Sequence, residues 1–593
     1  MNGKRNEMKG MRKMNLSKMQ WRRAAVAAFI AAAAFAAFAE VQAVWPSLDA
    51  MPDRQPHQIG AMTDVSGAPD FSPDEHRMPY VDWSEKPANP NGACIILVSG
   101  GSYNCCCDVG LVKKWRDRFT ELGYQAVNFV YRTPRPKGLP IYQSAWEDGQ
   151  RAVRLVRSQA AQRGFDPERI GVIGMSAGGH LVCLLATSSM TPAYAKVDDL
   201  DDIPCHINFC IANAPAYNTA TAAAGIARPE DGTFNMALKP NPCFKFDEKT
   251  CPISFHHGGA DLYTPNGSTQ CYREMRKHKV PAELHIYADR AHGAFGLDAA
   301  EEFLHQLNFD GKLGAETERR VFTGEYTAER IRENLWPDGK TPSAQQSQTN
   351  APTLTWFIPK NLSTKAIQVV FPGGGYSHCN AKGEGLPVAE YFNAKGMTVV
   401  VVEYRCPRPK GLPKHLTAWQ DAQRAIRMVR SEAPARGLDL DRIGAMGFSA
   451  GGHLTLMTAL SSTYSSYRAV DAIDSLSCKV QWACPIYPAY VLTDGDNKPN
   501  ATGGNDDSAV PVPEFLFDIN TPPMCFVHGD ADGWAAMNSV KVWERLRSMG
   551  VQSDLHTLAG RGHCFQFKAA DGTGSANWLD KVWDFLSRKG FCK

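Results

Sequence analysis

Hydrophobic positions between Ala366 and Leu460 fall into two alternating rhythms. The runs "AIQVVF" (Ala366–Phe371), "MTVVVVEY" (Met397–Tyr404) and "RIGAMGF" (Arg442–Phe448) are nearly continuous in apolar residues. Such runs suit parallel strands covered on both faces. Between them, "VAEYFNAKG" has helical spacing and closes on Gly396, a helix-stop signal. "AWQDAQRAIRMVRSEAPARG" (Ala418–Gly437) places Ala, Ile and Val on one helical face, and "AGGHLTLMTAL" predicts another helix directly after Ser449. "QWACPIYPAY" and "MCFVHGD" read as further strands. Strand–helix alternation of this kind predicts an α/β fold, a mostly parallel sheet with helices on both faces.

The same order appears earlier in the chain. "PRPKGLP" occurs at Pro134–Pro140 and again at Pro407–Pro413, an offset of 273 residues. At that offset Tyr131–Arg157 matches Tyr404–Arg430 at 18 of 27 positions, "GMSAGGHL" at Gly174 meets "GFSAGGHL" at Gly447, and Gly100-Gly101 meets Gly373-Gly374. Further on, "HGGAD" at His257 meets "HGDAD" at His528, now at an offset of 271. The starts match as well, "VWP" at Val44 and "LWP" at Leu335. Each repeat is long enough to hold its own core. The expectation is therefore two tandem α/β domains, 44–320 and 321–593, behind an N-terminal segment 1–43.

That segment carries a basic stretch ending at Arg22-Arg23, a 16-residue apolar run from Ala24 to Ala39, and small-residue cleavage patterns ending at Ala39 and Ala43. This is the form of a secretory signal peptide, so the expected location is exported, periplasmic or extracellular. The run is short for a membrane span and no later segment is a better one, so no stable membrane insertion is expected once it is removed. Net charge is only +3, from 64 Lys+Arg against 61 Asp+Glu, which gives no reason to expect a nucleic-acid partner. The 17 cysteines form no regular framework, and Cys105-Cys106-Cys107 lacks CxxC spacing and a nearby His. No metal and no cofactor are expected.

The candidate chemistry centres on G-x-S-x-G, present at Gly447–Gly451 around Ser449 and at Gly174–Gly178 around Ser176. A sharp strand-to-helix turn carries the Ser, and the glycines let neighbouring backbone come close. The hydroxyl is a poor nucleophile without a base. Asp532 follows a strand and His563 lies 31 residues later; Asp261 and His292 repeat that separation. The order Ser, Asp, His is that of the α/β-hydrolases. Asp530 competes with Asp532, but its counterpart is Gly259, whereas that of Asp532 is Asp261. His257 and His528 precede the acids and read as structural, as do Trp146, Asp148, Trp419 and Asp421. Backbone N–H donors for an oxyanion are expected from Ala450 with Gly374 or Gly375, and from Ala177 with Gly101 or Ser102.

The motifs "FPGGGYSHCNAKGEG", "GFSAGGHL" and "HGDAD…GRGHCF" resemble those of exported bacterial esterases of the acetyl xylan esterase-like kind. These belong to the α/β-hydrolases, with the hormone-sensitive-lipase-like and prolyl-oligopeptidase groups. The resemblance implies metal-free hydrolysis of small-molecule or polysaccharide esters, often acetyl or feruloyl groups on plant polysaccharides. Two other readings remain: a prolyl-oligopeptidase-like serine peptidase, though such enzymes usually carry a large β-propeller for which neither domain has room, and a first domain that only binds carbohydrate. That domain departs from the pattern. Ser102 stands for Gly375 and Leu111 for Glu384, so a weaker or differently specific site is expected there.

Overall fold

The computed structural model describes residues 41–58, 78–107, 109–219, 238–293, 295, 297–311, 322–493, 509–565 and 577–593. The signal-peptide reading falls almost wholly outside them. Among the described residues no helix is long and apolar enough to cross a membrane. Two compact units are present. One comprises residues up to Leu97, Tyr103–Ile170 and Pro192–His206; the other comprises Val98–Ser102, Gly171–Thr191 and Ile207–Lys593. This cut differs from that between the sequence repeats.

The first unit carries β1 (Val41–Ala43), β2 (Tyr80–Trp83), most of β3 (Cys94–Val98) and β4 (Gln125–Val130). β2 pairs antiparallel with both β1 and β4. Of the two expected cleavage sites, the one after Ala39 leaves β1 whole and the one after Ala43 removes it. The strongly repeated segment has a structural use here. Asp148 accepts from the backbone N–H and Nε of Arg132 and from Trp45 Nε1, all buried. The second repeat makes the same knot from Asp421, Arg405 and Trp336. Asp148 and Asp421 are thus structural, as expected: a buried carboxylate persists only when paired and hydrogen-bonded.

The second unit holds all but the first residue of β5 (Ile170–Met175), with β6 (Phe209–Asn213), β7 (Ile253–Gly258) and β8 (Ala282–Tyr287) of the first repeat. From the second repeat it holds β9 (Thr327–Asn334), β10 (Thr353–Pro359), β11 (Ile367–Phe371), β12 (Thr398–Glu403), β13 (Ile443–Phe448), β14 (Trp482–Ile486), β17 (Cys525–Gly529) and β18 (Asp554–Leu558). A separate two-stranded pair is formed by β15 (Leu492–Thr493) and β16 (Val510–Pro511). The main sheet runs β5-β6-β7-β8-β18-β17-β14-β13-β11-β12-β10-β9. Within the second repeat β18 through β12 are parallel, and β10 and β9 close the edge antiparallel. Alternate side chains of β11 feed two cores. Ile367, Val369 and Phe371 pack with Ala422, Ile426 and Leu454; Val370 packs with Val388, Phe392 and Leu579. Both faces of the sheet are covered, which is why its strands read as unbroken apolar runs.

The repeats join through β8 and β18, which pair antiparallel with His285 opposite His556. These two residues are also counterparts at the 271 offset. Each strand therefore meets its own equivalent, as the two protomers of an isologous dimer do. Asp530 belongs to this joint. It accepts from Ala282 N, Gly560 N and Arg276, which accounts for an acid here that the first repeat does not share.

Candidate active site

Ser449 stands between β13 and the helix Ala450–Leu460, at φ 52°, ψ −115°. Ser176 stands between β5 and the helix Ala177–Ser188, at φ 57°, ψ −119°. A non-glycine residue held there is strained, and such strain persists only where the surroundings impose it. The flanking glycines do so. A Cβ at Gly447 would collide with the carbonyl oxygen of Gly451, and one at Gly451 with that of Phe371. The turn is thus closed tightly enough to lift each Ser clear of its strand.

The residues chosen from sequence come together in both repeats. Ser449 Oγ lies 2.8 Å from His563 Nε2, and His563 Nδ1 lies 2.7 Å from Asp532 Oδ2. Ser176 Oγ lies 3.0 Å from His292 Nε2, and His292 Nδ1 lies 2.9 Å from Asp261 Oδ2. Each acid is fixed on its far side. Asp532 accepts from Trp534 N and lies 3.2 Å from His528 Nε2; Asp261 accepts from Tyr263 N and lies 3.2 Å from His257 Nε2. His528 and His257 are in turn bonded to Ser539 and Ser268, so they support the acids rather than face Ser449 or Ser176. Burial opposes charge on Asp532 and Asp261, but the histidines beside them outweigh it and hold both carboxyls well below the usual range. Burial likewise disfavours the charged form of His563, and Asp532, with Cys564, raises it to about 9.

The residue before each expected donor loop pair packs against the serine. Ala450 and Ala177 are the first residues of their helices. A Cβ at Gly373 would come within 3.2 Å of Ser449 Cβ, and one at Gly100 within 3.0 Å of Ser176 Cβ. Gly374 and Gly375 have φ 130° and 62°; Gly101 and Ser102 have 126° and 54°. Ser102 therefore keeps the backbone course of Gly375. A Cβ at Gly375 would meet only Tyr490 Oη, at 3.6 Å, so the cost of a side chain at this position is the positive φ itself rather than a clash.

The two sites differ behind the loop instead. Buried Glu384 accepts from Gly373 N at 2.5 Å and from Tyr487 Oη at 3.0 Å. The Tyr487 ring also packs edge-on to His563, 5.2 Å between centroids. In the first repeat both partners are gone, Leu111 for Glu384 and Ala214 for Tyr487. Tyr487 lies in no catalytic motif; its only sequence signal is that it and Glu384 are lost together in the first repeat. Glu384→Leu is expected to lower kcat of the second site by up to about 100-fold with little change in KM, the lower end of the cost of losing one oxyanion donor. Steady-state kinetics in a Ser176→Ala background measures this. Unchanged kcat would make Glu384 a packing residue only.

A strand–Ser–helix elbow on a mostly parallel sheet, with Asp and His carried on later loops, defines an α/β-hydrolase. A sequence profile described as BD-FAE matches residues 83–197 and 354–546, more than half of the chain. The chain belongs to that family. The profile of the prolyl oligopeptidase family matches residues 146–313. The acetylxylan esterase of Xylanibacter ruminicola is 27% identical over 252 residues, 41% of this chain and 47% of that protein. Esterase LipC of Mycobacterium tuberculosis is 26% identical over 234 residues, 36% of this chain and 57% of that protein. The chain thus spans about half the length of these curated relatives. Among solved structures, an acetyl ester-xyloside bifunctional hydrolase from Caldicellulosiruptor lactoaceticus is 25% identical with a TM-score of 0.37, covering 44% of this chain and 97% of that one.

Proposed function

We propose that the chain is a tandem serine carboxylesterase, with the domains 44–320 and 321–593 each holding one site, acting on acetyl or feruloyl groups of plant polysaccharides. The observation that carries this reading is the continuous chain from Ser449 Oγ through His563 to Asp532. His563 takes the Ser449 proton as the hydroxyl attacks the ester carbonyl. Ala450 N with Gly374 or Gly375 N receives the oxyanion. The imidazolium then protonates the departing alkoxide, and water hydrolyses the acyl-enzyme by the same route in reverse. Ser176, His292 and Asp261 act likewise, with Ala177 and Gly101 or Ser102 as donors. The family and the names of the curated relatives support the ester as substrate. The basic start and the Ala-rich run support export, for which mature protein from its native cell should begin near Glu40; an intact Met1 in the membrane fraction would contradict this.

The prolyl oligopeptidase match over residues 146–313 favours one competing reading, a peptidase. One panel separates the two: p-nitrophenyl acetate, longer acyl esters, a feruloyl ester, acetylated xylan and a prolyl peptide anilide. Turnover of the acetyl or feruloyl esters and acetate release from xylan are expected. Cleavage of the anilide alone would replace the esterase reading with the peptidase one.

A further inference from the structure

His453 lies one helical turn beyond Ser449 and plays no part in the chemistry above. Its Nε2 is 3.7 Å from Glu514 Oε1, and His415 Nδ1 is 3.8 Å from the same oxygen. The ligand atoms of all three residues lie within 4.8 Å of one another. These separations are too long for hydrogen bonds, and both ring nitrogens are buried without a hydrogen-bond partner. Two unpartnered nitrogens aimed at one carboxylate call for an explanation.

A transition-metal ion supplies one. In a tetrahedral site with bonds of about 2.0–2.1 Å, neighbouring ligand atoms stand about 3.4 Å apart, so the two Glu514 distances need to close by only a few tenths of an ångström. Tyr376 Oη lies 2.8 Å from His453 Nδ1. With Nδ1–H donated to that oxygen, Nε2 presents its lone pair to Glu514, the outer-shell arrangement usual for a metal-bound His. The Glu514 side chain is 26% exposed, which leaves a route for the ion and for water. The adjacent cation, Lys414, is turned onto the Tyr490 ring, 3.8 Å from its centroid.

The first repeat shows that packing alone does not require this set. His180, the counterpart of His453, lies 5.2 Å from Phe244 at 42° between planes, and His453 lies 5.2 Å from Phe515 at the same angle. Yet Tyr142 stands for His415 and Cys243 for Glu514. The second repeat keeps the stacked histidine but sets His415 and Glu514 beside it, where the first has Tyr142 and Cys243, whose Sγ lies 3.7 Å from His180 Nε2.

We propose that His415 Nδ1, His453 Nε2 and a Glu514 carboxylate oxygen bind one transition-metal ion of the Zn²⁺ class, with water as fourth ligand, in the second repeat alone. No sequence motif marks this set: His415, His453 and Glu514 lie in three separate segments, 38 and 61 residues apart. The ion is structural. Through Tyr376 it braces the loop that carries Gly374 and Gly375. The test loads the full chain with zinc chloride, removes free metal by gel filtration, and measures zinc per chain by elemental mass spectrometry. About one zinc per chain is expected, with a higher melting temperature than the chelator-treated protein. Glu514→Gln and His415→Tyr, the latter restoring the first-repeat residue, should each lose the zinc and the thermal shift; Cys243→Ser should lose neither. Circular dichroism before loading identifies the variants that are folded. An unchanged zinc content in a folded Glu514→Gln or His415→Tyr chain would overturn the proposal, as would a parent chain that retains no zinc.

Discussion

Replacing Ser449 by Ala is expected to remove most ester turnover of the full chain, and adding Ser176→Ala to bring the total loss to about 10³-fold or more, the usual cost of a missing triad member. Ala is a mild substitution here. The strained backbone is imposed by the close approach of Gly447 and Gly451 to their neighbours, not by the hydroxyl. The hydrogen bond to His563 is what the swap removes. Circular dichroism should therefore match the parent. Initial rates on p-nitrophenyl acetate measure the effect. Full turnover in Ser449→Ala, abolished only by Ser176→Ala, would transfer the main activity to the first repeat.

Asp532→Asn in a Ser176→Ala background is expected to cost about 10⁴-fold in kcat, because Asn can offer an N–H to His563 Nδ1 and hold the imidazole in the wrong tautomer. It should also shift the pH profile. His563 must be neutral to accept the Ser449 proton, and Asp532 favours its charged form, raising it to about 9. The sign follows: kcat/KM of the second site rises with pH along an acid limb above the ordinary histidine value of about 6.5. Losing the carboxylate moves that limb to lower pH while the plateau falls. A parent limb at or below about 6.5 would show that Asp532 does not stabilise the imidazolium.

Much of the site was legible because this fold carries its Ser, Asp and His in a fixed chain order. The Gly447–Gly451 turn needs glycine on both sides of Ser449, and the 31-residue separation of acid and His recurs in each repeat. What stayed hidden has physical causes. β9, "TAERIREN", is a half-exposed edge strand rich in charge, so it lacks the apolar run that announced β11 and β12. β8 and β18 bury Glu283, His285, Asp554 and His556 at the joint between repeats, and such residues leave no apolar run to mark a strand. Glu384 was visible as a difference between repeats, but its bonds to Gly373 and Tyr487 join residues far apart in the chain. Ser102 follows the same positive-φ course as Gly375, a course that the change of letter alone does not reveal.

The central claim is that Ser449 and Ser176 are both activated nucleophiles. Treating the full chain with a serine-directed fluorophosphonate and mapping adducts by peptide mass spectrometry over time tests it most directly. Two adducts per chain are expected, at Ser449 and Ser176, with Ser449 labelled faster because Glu384 and Tyr487 hold its oxyanion loop. A folded chain with no adduct at Ser449, or with Ser449 fully labelled and Ser176 untouched, would contradict it.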